Sequence, residues 1–340
     1  MSNYEAPTSL GGEYSSQSSK ILLLLRTVIM WPKFIKIMML VLLGGTLVSC
    51  ASTSARNNDD QKIPREYVVL MEPYTPTEEL QNQEIAASQM LYDSKLTQVE
   101  KSDLFVQRAE IEQRLGLRFL AMLNLMAAIR TNSENALAYL QMAGLLADEG
   151  RFLEAYDAYD AAIELSPKHD NVYLYRSIAL YYGQRVKMAY EDLKNFYMNA
   201  RRDPYAILWL YILEHELQGA QEAQANLQER YRFIPHDNNS TFTRVIRVIL
   251  GLETEKNLWL EVSMSAHDLP AVESLCELYF FLGKYHQLLG HKEMAQDYFM
   301  LSMQTNVVYF VEYACAKQEL RAAKFIPEKV QTSDPNSASM

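Results

Sequence analysis

The sequence predicts an all-α fold built as an array of stacked helix pairs, and three observations carry that expectation. Small residues recur at a fixed step: Ala121, Ala155 and Ala189 lie 34 apart, as do Gly116 and Gly150, Ala128 and Ala162, and Leu125, Tyr159 and Leu193. Only 12 Gly and 11 Pro interrupt the 340 residues, few for a β-rich chain and suited to long helices. Hydrophobic residues make up 49% and charged residues 22%, the balance of a chain that folds around a core.

A period of 34 is that of the tetratricopeptide repeat (TPR), a helix–turn–helix unit whose copies stack into a solenoid. The Gly positions are expected in the turn, where a bulky side chain would obstruct it. The Ala positions are expected where the two helices of a unit approach closely, with the larger residue four positions on filling the space beside them. The second repeat, 136–169, shows the pattern best, in Tyr139, Ala143, Gly150, Phe152, Ala155, Tyr159, Ala162 and Pro167. Repeat one, 102–135, is degraded, with Ala109 at the usual Gly position and Ser133 at the Pro position. Repeat three, 170–203, carries Tyr173, Ser177, Ala189 and Leu193. Asp203-Pro204 then reads as an N-cap and first helical residue.

A further unit is expected at 276–309, in Tyr279, Leu282, Gly283, Gly290, Ala295 and Phe299. Ala295 lies 106 residues after Ala189, whereas three whole repeats would give 102, so the stretch between is no plain continuation. Apolar residues at helical spacing still predict additional helices over Tyr205–Gln218, Ala220–Phe233, Thr241–Leu250 and Glu255–Met264, with a loop at 234–241. One extra helix is expected over 78–101, capping the array or joining a partner chain. The helical domain is thus expected over 78–323, followed by a disordered tail, 324–340.

The N-terminus reads as an address. Lys33 and Lys36 precede an apolar run, Ile37–Val48, of 12 residues, the length of a signal-peptide core and short for a membrane-spanning helix. The run ends Leu47-Val48-Ser49-Cys50, which resembles the bacterial lipobox. Its chemistry is diacylglycerol transfer to the Cys50 sulfur, cleavage before Cys50, and N-acylation. Several acyl chains together hold a protein on a membrane where one alone is marginal. Residues 1–49 are therefore expected to be leader and signal peptide, with translation starting at Met30. Residues 50–77 are expected to be the lipidated Cys and a flexible tether, polar from Ala51 to Glu66. Position 51 is Ala rather than the Asp that commonly retains Gram-negative lipoproteins in the inner membrane. The resemblance implies the outer membrane, with the body on its periplasmic face.

Net charge is −10, and near −12 without residues 1–49. An acidic body is a poor phosphate binder, so nucleic acid is excluded as the expected partner. Searches for local catalytic and metal signatures return little. No Walker loop, GxGxxG or CxxC pair is present. His215–Gly219 begins like HExxH but lacks the second His, and His286 and His291, five apart, are expected to leave the same helix face and to make poor joint ligands. No catalytic residue, metal or cofactor is expected, the covalent lipid on Cys50 aside. Cys276 and Cys315 could pair in an oxidising compartment, but heights along neighbouring helices favour buried free thiols.

Certain residues of the third and last units carry a closer likeness. Arg176, Ile178–Gly183, Phe196-Tyr197 and Leu208–Tyr211, with Phe281–Tyr285, Asn306-Val307 and Phe310–Glu312, resemble the corresponding stretches of the NlpI-type TPR outer-membrane lipoproteins. The likeness covers residues 85–320, is most specific at 170–217 and 278–320, and is poor at 220–270. It implies a homodimeric adaptor that scaffolds peptidoglycan endopeptidases, delivers one to a periplasmic tail-specific protease, and so regulates wall remodelling and division. The alternative is a TPR lipoprotein of type IV pilus and secretin assembly, which would carry more regular repeats.

Groove-facing positions read from repeat register are Asn171, Leu174, Ile178, Tyr181 and Tyr182 in the third repeat, and Glu277, Phe280, Lys284 and Gln287 in the last. Tyr181 and Tyr182 combine apolar area with hydroxyls, as binding hot spots often do. At least one is expected exposed, the other reading being core packing. Arg176 stands at a normally apolar position and is expected to anchor a buried carboxylate within the array rather than to meet a ligand.

Overall fold

The computed structural model describes residues 62–64, 67–69, 71–167, 171–264 and 272–324, and these contain fourteen helices and no strand. The helices are α1 (Glu78–Met90), α2 (Gln98–Arg114), α3 (Arg118–Thr131), α4 (Ala136–Asp148), α5 (Phe152–Leu165), α6 (Asn171–Tyr182) and α7 (Val186–Asn199). After them come α8 (Pro204–Gln218), α9 (Ala220–Tyr231), α10 (Thr241–Ile249), α11 (Glu255–Met264), α12 (Val272–Leu288), α13 (Lys292–Gln304) and α14 (Val311–Ala322). The leader, Cys50 and the tail from 325 lie outside the described residues.

The pairs α2–α3, α4–α5, α6–α7, α8–α9 and α12–α13 pack helix on helix, and α3 on α4, α5 on α6 and α7 on α8 join successive pairs. This is the TPR arrangement, with additional helices. The recurring alanines explain it. Ala121, Ala128, Ala155, Ala162 and Ala189 are wholly buried, and Leu125, Tyr159 and Leu193 are buried beside them. A side chain of one methyl lets two helix backbones approach to the short end of the usual interaxial range.

The glycines work for a different reason from the expected one. Gly116, Gly150 and Gly290 have φ of +76°, +81° and +81°, the left-handed conformation that terminates a helix and that glycine adopts freely. A Cβ on Gly150 would meet nothing closer than Gln318 at 3.7 Å, so backbone conformation rather than crowding selects Gly there. In repeat three the equivalent position is Gln184, forced to φ +62°. Its neighbour Gly183 is the crowded one: a Cβ there would fall 1.7 Å from Tyr156 Oη.

The segment expected as a single helix over 78–101 is α1 followed by a break. Thr97 opens α2 with a capping box, accepting from the Glu100 backbone N–H at 3.2 Å while the Glu100 carboxylate accepts from the Thr97 N–H at 2.8 Å. That reciprocal pair satisfies two N–H groups a continuous helix would not need capped. Residues 67–69 and 71–77 were expected within the tether, but they run against the body. Tyr279 Oη accepts from the Val69 N–H at 3.0 Å and donates to its carbonyl, and the Tyr74 N–H donates to the Thr305 carbonyl at 2.7 Å.

Where the 34-residue phase is lost, aromatic packing takes over. Asp203 caps α8 by accepting from the Tyr205 N–H at 2.9 Å, with Pro204 in the first turn. Every residue from Ala206 to Glu214 is buried, so α8 is surrounded. Trp209 meets Phe280 and Phe281 of α12 at ring separations of 5.8 and 5.9 Å. Trp259 of α11 stacks on Tyr279 at 5.1 Å, and its Nε1–H donates to Tyr298 Oη at 3.1 Å. α10 packs on both α8 and α12, which bridges the out-of-phase stretch.

Candidate functional site

The first helices of the pairs, α4, α6, α8 and α12, share a face, and α14 lies on it. Residues of α14 reach all four. Gln318 donates to the Asp148 carbonyl at the end of α4 at 3.4 Å. Glu319 accepts from Tyr182 Oη of α6 at 3.0 Å and from Lys284 Nζ of α12 at 2.7 Å. The Tyr205 hydroxyl of α8 hydrogen-bonds Glu312.

That placement corrects several groove assignments made from register. Leu174, Ile178, Phe280 and Lys284 are buried, Phe280 and Lys284 almost completely. Tyr181, Tyr182 and Glu277 are half-buried, while Asn171 and Gln287 are exposed. The physical reason for the polar part is the covering helix, together with the aromatic layer around Trp209 that encloses Phe280. Both tyrosines are structural partners: Tyr181 and Tyr182 pack edge-to-face at 5.0 Å, and each packs against Trp209.

Lys284 is the centre of this face. Its ammonium donates to Tyr181 Oη at 2.8 Å, Gln287 Oε1 at 2.6 Å and Glu319 Oε1 at 2.7 Å, so all three of its donors are used. Gln287 Nε2 closes the ring by donating to Glu319 Oε2 at 2.7 Å. Burial pulls the Lys284 pKa down, but the Glu319 carboxylate outweighs it and holds the ammonium well above its usual range. Burial pushes Glu319 up, and Lys284, Gln287 and Tyr182 outweigh that, holding its carboxyl below the usual range. Glu312, two turns earlier on the same face of α14, has no such cation, and burial raises it despite the bond from Tyr205. Glu277 beside it is pushed up to about 8 by burial first, then by Glu312 and Glu273.

Register reasoning named Lys284 and Gln287 but missed Glu312, Gln318 and Glu319. Their signal is faint: glutamates seven apart on α14, flanking the small residues Ala314, Cys315 and Ala316, all on the buried face. Cys276 and Cys315 are both free and buried.

Arg176 takes the expected structural role. It clamps the Asp192 carboxylate through Nε at 2.6 Å and Nη2 at 2.7 Å, and Asp160 through Nη1 at 2.5 Å. Paired hydrogen bonds of this kind fix orientation as well as charge. His286 and His291, not expected to share a helix face, belong to different elements, since His291 is the N-cap of α13. Their Nδ1 atoms meet at 3.1 Å, and His286 Nε2 bonds Glu255 at 2.8 Å. Among the described residues no group of three or more His, Cys, Asp or Glu side chains is placed to hold a metal ion.

A second surface escaped the register analysis. α3 leaves Leu117, Phe119, Leu120, Leu123 and Met126 exposed, Phe119 by 74%. The stretch Arg118–Arg130 is apolar nearly all round, which a helix with only one buried side does not require. Clustered exposed apolar side chains mark interaction surfaces.

The chain matches no protein-family model. Among solved structures it is similar to YrrB, described as a TPR protein with an unusual peptide-binding site, at 12% identity over 70% of this chain and 98% of that one, with a TM-score of 0.38. It is also similar to a tetratricopeptide repeat protein from Parabacteroides merdae ATCC 43184, at 16% identity over 72% and 93% of the two chains, with a TM-score of 0.47.

Proposed function

We propose that this protein is a lipid-anchored periplasmic adaptor of NlpI type. It holds peptidoglycan endopeptidases and a tail-specific protease at the inner face of the outer membrane, limits wall cutting during growth and division, and works by binding rather than by catalysis. The observation that carries the binding role is the exposed apolar row on α3, presented by a TPR-type array. The finer identity is supported by the resemblance at residues 170–217 and 278–320, and by the lipobox ending at Cys50. The homodimer that the resemblance implies would bring two such arrays to one membrane anchor site and raise the effective concentration of one enzyme for another.

The test is in-cell crosslinking of the tagged, lipidated protein with mass spectrometry of what is captured. Recovery of wall endopeptidases together with a tail-specific protease is the expected result, and a Phe119→Asp/Leu123→Asp variant should lose at least one of them. Recovery of secretin or pilus subunits without wall enzymes would replace this reading with the pilus-assembly one.

A further inference from the structure

The face formed by α4, α6, α8 and α12 is covered by α14, which also packs on α13, and its contacts with that face are those of an amphipathic helix in a groove. α14 presents one side, Glu312, Ala314, Cys315, Ala316, Glu319 and Leu320, all buried. Glu312, Cys315/Ala316 and Glu319/Leu320 follow the three-to-four residue spacing by which an amphipathic helix lies in a groove. Its anchoring is polar and specific: Glu319 seated between Lys284, Gln287 and Tyr182, Gln318 on the Asp148 carbonyl, and Glu312 on Tyr205.

Two features favour release. The connection from α13 to α14 contains Asn306 at φ +57°, a backbone state of few non-glycine residues. And the buried side is made mostly of small or charged residues, which remove little apolar area from water. The helix pairs of the array, by contrast, interlock through Leu125, Tyr159, Leu193 and Phe299.

We propose that this face is a helix-binding groove occupied in cis by α14, and that it accepts a partner's amphipathic helix of the same chemistry once α14 lifts away. The partner helix would carry a glutamate to pair with Lys284, small residues one turn before it, and a second acidic residue two turns before it. The groove thereby becomes a gated site, separate from the exposed row on α3. The proposal rests on the adaptor reading for its biological use, but its failure is distinguishable. It fails if α14 cannot exchange for a helix in trans, whereas the adaptor reading fails if no envelope protein is captured by any surface.

The experiment has two parts, both on the full chain. In native-state hydrogen exchange of the wild type, α14 amides should open on the order of 100-fold more often than those of α6 and α12 beneath them. Identical protection, released only by global unfolding, would overturn the proposal. In the second part, a fluorescein-labelled synthetic peptide of residues 309–324 is titrated against the wild type and a Gln318→Ala/Glu319→Gln variant. The variant should bind the peptide at least tenfold more tightly than the wild type, and a peptide carrying Glu319→Lys should not bind. No binding to a variant that melts cooperatively would refute the groove; if the variant fails to fold, the wild-type exchange result decides.

Discussion

The array from α2 to α7 and the body from α8 to α13 solve the same problem, seating helix on helix, with opposite materials. In the first, buried alanines at a fixed step set a short distance, and one larger residue per unit fills what remains. In the second, two aromatic clusters, Trp209 with Phe280 and Phe281 and Trp259 with Tyr279 and Tyr298, fill the space between helices of unlike length and spacing. The difference teaches where a repeat becomes visible. Close approach tolerates only small side chains, so the same letters must return at each turn of the array. Flat rings fill irregular space in many arrangements, so no letter need return.

The comparison can be broken most sharply by exchanging large for small. Trp209→Ala should destabilise by about 3–5 kcal/mol through the cavity it leaves, read from the denaturant midpoint. A cost below about 1 kcal/mol would mean that the aromatic layer collapses around the gap and is not a fitted core. The complementary change is Ala155→Leu in the repeats, which should cost about 1–3 kcal/mol by overpacking a backbone contact. Neutral behaviour there would show that the 34-residue alanines do not set the helix distance.

A smaller effect concerns the turn of repeat three, where the helix-ending glycine is replaced by Gln184 at φ +62°. Gln184→Gly should stabilise by about 1 kcal/mol, the steric penalty of a left-handed side-chain residue, visible as a rise in Tm. The same change at an ordinary helical position would lower it.

The smallest effect tests the acidic edge between α12 and α14. The Glu277 carboxyl is raised to about 8 in the folded chain, so its contribution to stability is greatest below the ordinary carboxylate pKa and is lost as pH rises through 8. Glu277→Gln should therefore gain stability over the wild type at pH 8 and converge with it near pH 4.5. Glu319 has the opposite sign, lowered by Lys284, so its support persists at neutral pH and is lost only as acid drops below the usual carboxylate range. A pH profile that is flat between 5 and 8 in both proteins would remove Glu277 from the account.

Much of the fold was legible because its determinants are local or periodic. Asp203-Pro204 announced α8, and the spacing-derived segments over 205–218 and 255–264 fall on α8 and α11. The structural role of Arg176 was legible too, since an arginine at an apolar register position needs a carboxylate. What was not legible is how far the repeat register could be carried toward a binding site. Register points Tyr181, Tyr182 and Lys284 toward a binding face, but their being covered depends on Glu319, 137 residues beyond Tyr182.

The sequence by itself determined the helix pairs, their 34-residue repeat and several helix starts, because propensity, capping and close approach each act over a few residues. Only the tertiary structure decided that the face those repeats present is filled by α14, that α3 carries the open apolar row, and that Lys284 is a buried ion rather than a groove contact. Those outcomes depend on which distant helix has the shape and charge to lie there, a competition among surfaces that no local pattern encodes.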